Sequence, residues 1–270
     1  MRLAVAMNIL KETVRQVLRS LPYGQRVLDF PGYYRRKQYY RREAERLAKI
    51  GDREAIFKHH FEKNAWKDPE SVSGAGSTAR YKENIRRELP ALFERLQIRS
   101  MLDAPCGDFN WFQLIDLKDS VHYPGGDIVE SLISANQARY GSNSRVFRRM
   151  DIVHEPLPDV DLWLCRDCLF HLSNADATMA ISNFLRSNVK YLLTTTHPLN
   201  TYNFDIPTGS FRLLNLTIAP FNFGPPLAAM DDWIEPHPVR QLAVWERETL
   251  AAALSNNRAF SQAALSPAVG

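Results

Sequence analysis

Three carboxylates close three successive apolar runs in this 270-residue chain: Asp103, Asp127 and Asp151. Gly107 follows the first of them, and Gly125 and Gly126 precede the second. A residue without a Cβ lets backbone amides close on a ligand, so Gly107 can open a binding loop. Asp127 then stands at the spacing where adenosine and dinucleotide sites use a carboxylate to accept hydrogen bonds from both ribose hydroxyls. Asp151 can accept a hydrogen bond from an adenine amino group while Ile152 packs on the ring. The same residues also serve ordinary folds as helix and turn caps.

A second group has proton chemistry. Asp167 and His171 follow a fourth apolar run and His197 follows a fifth, so each is a candidate base for a hydroxyl nucleophile. The alternatives are structural: His171 as a helix-terminal or core histidine bonded to backbone, Asp167 as a helix cap. Arg166 can pair with Asp167 or with a ligand carboxylate. His197, immediately before Pro198 at the start of a loop, is expected to be the most exposed of the three. The spacing Cys165-x-x-Cys168-x-x-His171, with Cys106 nearby, invites a metal reading. Those residues would bridge a strand end and a helix start, however, and apolar packing accounts for the thiols, so no metal is expected.

These residues need elements to carry them. From residue 99 onward short apolar runs alternate with helical stretches, the pattern of βαβ units and a mostly parallel sheet. Strands are expected near 99–103, 121–127, 145–150, 160–165 and 190–196, with helices near 110–117, 130–139 and 174–187. Right-handed crossovers would place the carboxyl ends of these strands on one rim. A sixth strand near 239–245 and a helix at 246–254 complete the sheet. Upstream, helical periodicity marks 8–20, 35–50 and 78–96, the last with Leu89, Leu92, Phe93 and Leu96 as its stripe. Residues 197–238 carry seven prolines and no clean period, and so long a loop reads as an acceptor lid. Asn203, Asp205, Arg212 and Asn215 would supply its polar contacts, and Phe211, Phe221 and Phe223 its apolar walls. The alternative for that segment is a structural wrap over the sheet edge.

Composition sets the outer limits. With 45% hydrophobic and 24% charged residues the chain is an ordinary globular protein, neither low-complexity nor collagen-like. The net charge is +4, yet residues 1–60 hold fourteen Lys or Arg against six Asp or Glu. Such a basic arm can touch membrane phosphates, nucleic acid or an acidic partner. The tyrosine and arginine interleaving at 33–49 would suit stacking on RNA bases. Three cysteines are too few for a disulfide framework, and no stretch is long and apolar enough to span a bilayer. A cytoplasmic location is the expectation.

Four runs in this order carry a resemblance: LDAPCGDFNWF at 102–112, GDIVESLI at 126–133, LCRDCLFHL at 164–172 and YLLTTTHP at 191–198. Together with SVSGAGST at 71–78 and NFDIPTGSFRLLNL at 203–216, they resemble a bacterial family of class I S-adenosylmethionine-dependent methyltransferases. The likeness covers roughly 55–250. It implies a Rossmann-like α/β fold, a mostly parallel sheet flanked by helices, with a helical N-terminal extension. By this resemblance Asp103, Ala104, Cys106 and Gly107 form the donor loop, and Asp108 lies close to the methionine moiety or the substrate. Asp127 and Ile128 take the ribose, Asp151 and Ile152 the adenine end, and Cys165 and Arg166 complete the donor contacts. Trp66, Ser73 and Gly74 close over the donor from the N-terminal side, Trp66 reaching the substrate. The common glycine-rich form has three glycines, whereas Ala104 and Cys106 stand at two of the small-residue positions. The absent G-x-G-x-x-G turn argues against a nicotinamide-dependent oxidoreductase, because no pyrophosphate seat remains.

The expected organisation is a basic arm at 1–54, a catalytic domain at 55–255 and a loosely held tail at 256–270. The expected activity is methyl transfer to a small-molecule or saccharide hydroxyl. RNA methylation, a non-catalytic adenosyl-binding scaffold and, last, nicotinamide redox chemistry are the alternatives.

Overall fold

The computed structural model describes residues 24–78, 80–115, 121–255, 257 and 260. The chain divides into two compact units, Met1–Lys49 and Ile50–Gly270. In the first, helix α1 (Gly24–Ala48) is rich in Arg and Tyr from Tyr33 onward and buries Leu47. Its exposed face carries local ion pairs, Arg46 with Glu43 at 2.9 Å and Arg41 with Glu45 at 4.0 Å. The helix expected at 8–20 lies outside the described residues.

The second unit opens with α2 (Arg53–Glu62), which starts where Asp52 accepts the Ala55 N–H at 2.9 Å, an N-cap bond. Arg53 falls within the compact unit that begins at Ile50. Helix α3 (Glu83–Leu96) buries Ile85, Leu89, Leu92 and Phe93 and ends at Gln97 in the left-handed conformation, φ 56°. The sheet follows: β1 (Met101–Asp103), β2 (Tyr123–Asp127), β3 (Arg145–Arg149), β4 (Leu162–Cys165), β5 (Tyr191–Thr196), β6 (Ala228–Asp231) and β7 (Gln241–Glu246). Helices α4 (Glu130–Tyr140), α5 (Asn174–Arg186) and α6 (Arg247–Leu254) lie between and after these strands. The stretch expected to be helical at 110–117 is a single 3-10 turn at Phe112–Leu114, with 116–117 outside the described residues.

The strand order is β3-β2-β1-β4-β5-β7-β6. Strands β1 to β5 run parallel, whereas β7 is antiparallel to both of its neighbours. Alternate side chains explain why the central strands are apolar throughout. Leu102, Trp163, Cys165, Leu192, Ala243 and Trp245 face α5 and α6, while Met101, Leu162, Leu164, Leu193, Leu242 and Val244 join the core of α3 and α4. Burying a leucine or phenylalanine fully contributes about 1.5–3 kcal/mol, so a sheet covered on both faces holds its strand tips rigidly. The chain leaves β1 in one direction and returns to β4 on the other side of it. That reversal opens a crevice at the carboxyl ends of β1 and β4, the place where open α/β sheets bind ligands.

The long segment after β5 differs from its expectation. It contains β6, and its remainder packs down as a wrap: the His197 N–H donates to the Leu214 carbonyl at 2.8 Å, and Phe223 N–H to Leu216 at 2.9 Å. Phe221 and Phe223 are core residues, in ring contact with each other at 6.1 Å and, for Phe223, with Trp245 at 5.5 Å.

Candidate active site

The β-strand tips open into one cleft of about 370 Å³, within the size range of small-molecule sites. Its first wall is the loop after β1. The Cys106 N–H donates to the Gly126 carbonyl at 2.8 Å, which lays this loop against β2, and Gly107 then turns with φ +56°. A side chain at Gly107 would strike Ser73, so the close approach of the 71–78 segment needs this glycine. Gly74 has φ +90°, and a Cβ there would meet Trp66 at 3.0 Å. Ser73, Gly74 and Trp66 all line the cleft.

Asp127 organises the centre. Its Oδ2 accepts the Gly107 N–H at 3.2 Å and its Oδ1 the Val129 N–H at 3.0 Å, so the carboxylate is aimed by two backbone donors. Burial still pushes it up to about 6, against the pull of those N–H groups. Asp103 lies deeper, receiving the Tyr123 hydroxyl at 2.5 Å; burial drives it up to about 8, with the Asp127 charge adding to the rise. Both carboxylates border the cleft, as do Cys106, Gly107 and Ile128. Ala104 is fully buried behind them, where its carbonyl accepts the Trp163 indole N–H at 2.8 Å. Cys165 is likewise in the core rather than on the wall.

Asp151 and Ile152 line the cleft beyond β3. Asp151 is already engaged: Arg53 of α2 contacts its Oδ2 at 2.8 Å and the Val153 N–H its Oδ1 at 3.0 Å. Burial alone would raise this carboxyl, but Arg53 and the backbone N–H hold it below the usual range. Arg53 also reaches Asp176 at 3.0 Å, and with Phe57 and Phe61 it makes α2 a wall of the cleft. Sequence reading assigns none of these three a role in the site. Asp108, expected beside the donor or substrate, does not line the cleft. Its carboxylate instead accepts Ser71 Oγ at 2.8 Å and the Val72 N–H at 3.1 Å, stapling the 71–73 segment to the loop.

On the other side of the crevice stand the proton-transfer candidates. His171 lines the cleft, and its Nδ1 lies 2.8 Å from the Ser210 carbonyl oxygen. A carbonyl only accepts, so Nδ1 carries the proton and Nε2 is the basic nitrogen. Burial lowers this imidazole to about 4, keeping it neutral at physiological pH. Trp66 and Phe211 frame it, with ring centroids at 5.9 and 5.8 Å. Asp167, at φ 51°, also lines the cleft but is clamped by Arg166 at 2.8 Å and Arg240 at 2.9 Å. Burial would raise it, yet the two guanidiniums hold it below the ordinary carboxylate range and occupy both of its oxygens, an engagement that does not suit a base. His197 is only 3% exposed and lies outside the cleft wall; its Nδ1 accepts the Leu214 N–H at 3.2 Å, and burial lowers it to about 4. The expected exposed histidine is a fastener of the wrap, because β5 ends beneath that segment rather than at the surface.

Of the four polar residues expected in a lid, Asn203, Arg212 and Asn215 are buried in the wrap and Asp205 is exposed on it, and none lines the cleft. Asn203 donates to the Asn215 carbonyl at 2.7 Å and the Ala219 carbonyl at 2.9 Å, and accepts the Asn215 N–H at 2.9 Å. Asn215 donates to the Asn200 carbonyl at 2.9 Å. Arg212 donates to the carbonyls of Phe204 and Leu172, both at 2.9 Å, and Asp205 accepts the Asn174 N–H at 2.8 Å. Irregular backbone leaves its polar groups without ladder partners, and these side chains supply them. Phe211 alone of the expected lid residues lines the cleft. Arg240, Trp111 and His237 also line it; Arg240 and His237 stand alone in unremarkable sequence, and Trp111 belongs to the 102–112 run, where sequence reading assigns it no role.

No protein-family model matches the chain, and no curated protein sequence matches it. Solved structures do. The chain is similar to PigF with SAH, at 14% identity and TM-score 0.54, over 83% of this chain and 72% of that one. A weaker likeness, TM-score 0.49 at 16% identity over 73% and 97% of the two chains, is to magnesium protoporphyrin IX methyltransferase from Synechocystis PCC 6803 with bound SAM. The sheet order with its single reversed strand β7, the crevice at the β1 tip and the PigF likeness together give this chain the Rossmann-like fold of class I methyltransferases.

Proposed function

We propose that the protein is an S-adenosylmethionine-dependent methyltransferase acting on a hydroxyl of a small-molecule or saccharide acceptor. The observation that carries this reading is Asp127, fixed by the Gly107 and Val129 N–H groups at the tip of β2, between the β1 loop and Asp151. The residues present fit the donor. Asp127 has the position and the charge to accept ribose hydroxyls, and Ile128, Ile152 and Val153 offer an apolar slot for a purine. Ser73 and Gly74 cover the end of the cleft nearest Gly107. S-adenosylmethionine, when bound, supplies an electrophilic methyl carbon on a sulfonium.

The chain's own contribution is alignment, exclusion of water and a proton acceptor. Trp66, Phe170 and Phe211 surround His171 with apolar surface, which keeps its imidazole neutral. Nε2 of His171 takes the acceptor hydroxyl proton as the oxygen attacks, while the Ser210 carbonyl steadies the charge that appears on the ring through Nδ1–H. Asp167, locked between Arg166 and Arg240, orients the floor and stays ionised.

The test is transfer itself. Labelled methyl donor is incubated with fractionated cell extract, and label should enter a low-molecular-weight or saccharide fraction. Label in RNA alone overturns the acceptor assignment; binding of NAD in place of the methyl donor overturns the reaction.

A further inference from the structure

The inference rests on the methyltransferase reading and names the chemical class of its acceptor. A cluster against the cleft holds three cations, Lys82, Arg166 and Arg240, and two carboxylates, Asp167 and Asp232, with Lys82 and Asp232 buried behind the lining residues. Lys82 Nζ touches Asp232 Oδ1, and Arg166 Nε lies 2.9 Å from Asp232 Oδ2. Arg166 and Arg240 grip the two oxygens of Asp167 at 2.8 and 2.9 Å. Among the described residues no third carboxylate pairs with these cations, so one positive charge is left over in a buried group.

The surplus has an address. Arg240 is 8% exposed, and its Nη2 has no hydrogen-bond acceptor, its paired oxygen on Asp232 being 3.6 Å away. Arg166, Asp167 and Arg240 all border the cleft. Arg240 immediately precedes β7, whose Gln241 pairs with Thr196 at the tip of β5. Two strands, β4 and β5, separate β7 from β1, which at about 4.8 Å per strand puts the Arg240 backbone on the order of 14 Å from β1, while its guanidinium reaches back to Asp167 beyond the tip of β4. The surplus charge therefore sits beside Asp167, just past the tip of β4, against the cleft that His171 also lines.

We propose that the acceptor is an anion, a hydroxyl compound bearing a carboxylate or phosphate whose charge is met by the Arg240 guanidinium. With Nε and Nη1 taken by the Asp232 carbonyl and Asp167 and Nη2 enclosed, it is the uncompensated charge of the guanidinium that attracts such a group and draws the neighbouring hydroxyl toward Nε2 of His171.

The test is calorimetry on protein saturated with S-adenosylhomocysteine, using glucuronate, glucose and inorganic phosphate as probes. Glucuronate and phosphate should bind, glucose at least about tenfold more weakly, and Arg240→Gln should abolish the difference while S-adenosylhomocysteine affinity stays within about twofold. Glucose binding as tightly as glucuronate overturns the proposal. So does a fall in S-adenosylhomocysteine affinity in Arg240→Gln that 5′-methylthioadenosine, which lacks the amino-acid carboxylate, does not share, because the surplus charge then serves the donor. Should Arg240→Gln fail to fold, the wild-type comparison of glucuronate with glucose decides the matter alone. Absence of S-adenosylhomocysteine binding defeats the methyltransferase reading instead, and phosphate titrated onto the free protein still reports on the cluster.

Discussion

Nδ1 of His171 lies 2.8 Å from the carbonyl oxygen of Ser210, and this one contact fixes which nitrogen of the ring is basic. Because the contact partner is a backbone carbonyl, no side-chain substitution elsewhere supplies it, and His171 itself is the point to test. His171→Gln should lower kcat by about a hundredfold, the usual contribution of a general base, with S-adenosylhomocysteine affinity retained. Steady-state kinetics beside calorimetry read both. A variant with unchanged kcat removes His171 from proton transfer.

Asn203 makes its hydrogen bonds inside the wrap, to Asn215 and Ala219, and does not line the cleft. Asn203→Ala strands several buried backbone groups and should cost on the order of 2–3 kcal/mol of stability. Urea denaturation measures that loss, and the acceptor KM of the folded variant should equal that of the wild type. A raised KM without loss of stability would return Asn203 to the acceptor site.

Asp103 is raised to about 8 in the folded protein by burial, opposed by the Tyr123 hydroxyl. A carboxyl whose folded value exceeds its unfolded value favours the fold fully below about pH 4 and loses that contribution as pH rises through 8. Asn in its place keeps an acceptor for Tyr123 and carries no charge. The Tm of Asp103→Asn relative to wild type should therefore improve between pH 5 and pH 8 by at least about 2 °C. Scanning calorimetry at the two pH values checks it; a constant offset contradicts the assignment of the buried proton to Asp103.

The two histidines act in the opposite direction. His171 and His197 are both lowered to about 4 by burial, so their neutral forms belong to the fold. Stability they contribute is complete above about 6.5 and is lost as pH falls through 4. Replacing His197 with Gln, which keeps an acceptor for the Leu214 N–H, should flatten the acid limb of the Tm profile between pH 6.5 and 4. An acid limb as steep as that of the wild type contradicts a neutral buried His197.

The strand tips were legible in the sequence because they obey local rules. Apolar runs buried on both faces mark β1, β4 and β5, and an acid at the end of β1 and of β2 or just past β3 and β4 marks the rim. Asp103, Gly107, Asp127 and Asp151 could be placed by that logic alone. Strand β6 could not, since Ala228–Asp231 is four residues with one buried side chain at the sheet edge. The wrap was mistaken for a lid because polar side chains that satisfy irregular backbone look, in sequence, like side chains that await a ligand. Arg53, Lys82, Asp232 and Arg240 were illegible for a different reason. Their partners stand 98 residues away for Arg53 and Asp151, and 150 residues away for Lys82 and Asp232. Only the closed sheet brings those charges together.

The central claim is that an adenosyl group is held across the tips of β1, β2 and β3 with Asp127 at its ribose. Isothermal titration of S-adenosylhomocysteine into wild-type protein and into Asp127→Ala measures it directly. The prediction is saturable one-to-one binding to the wild type and a loss of about a hundredfold in the variant, the value of two charge-assisted hydrogen bonds, with the far-ultraviolet circular dichroism unchanged. Equal affinity in the two proteins, or no binding to the folded wild type, contradicts the claim.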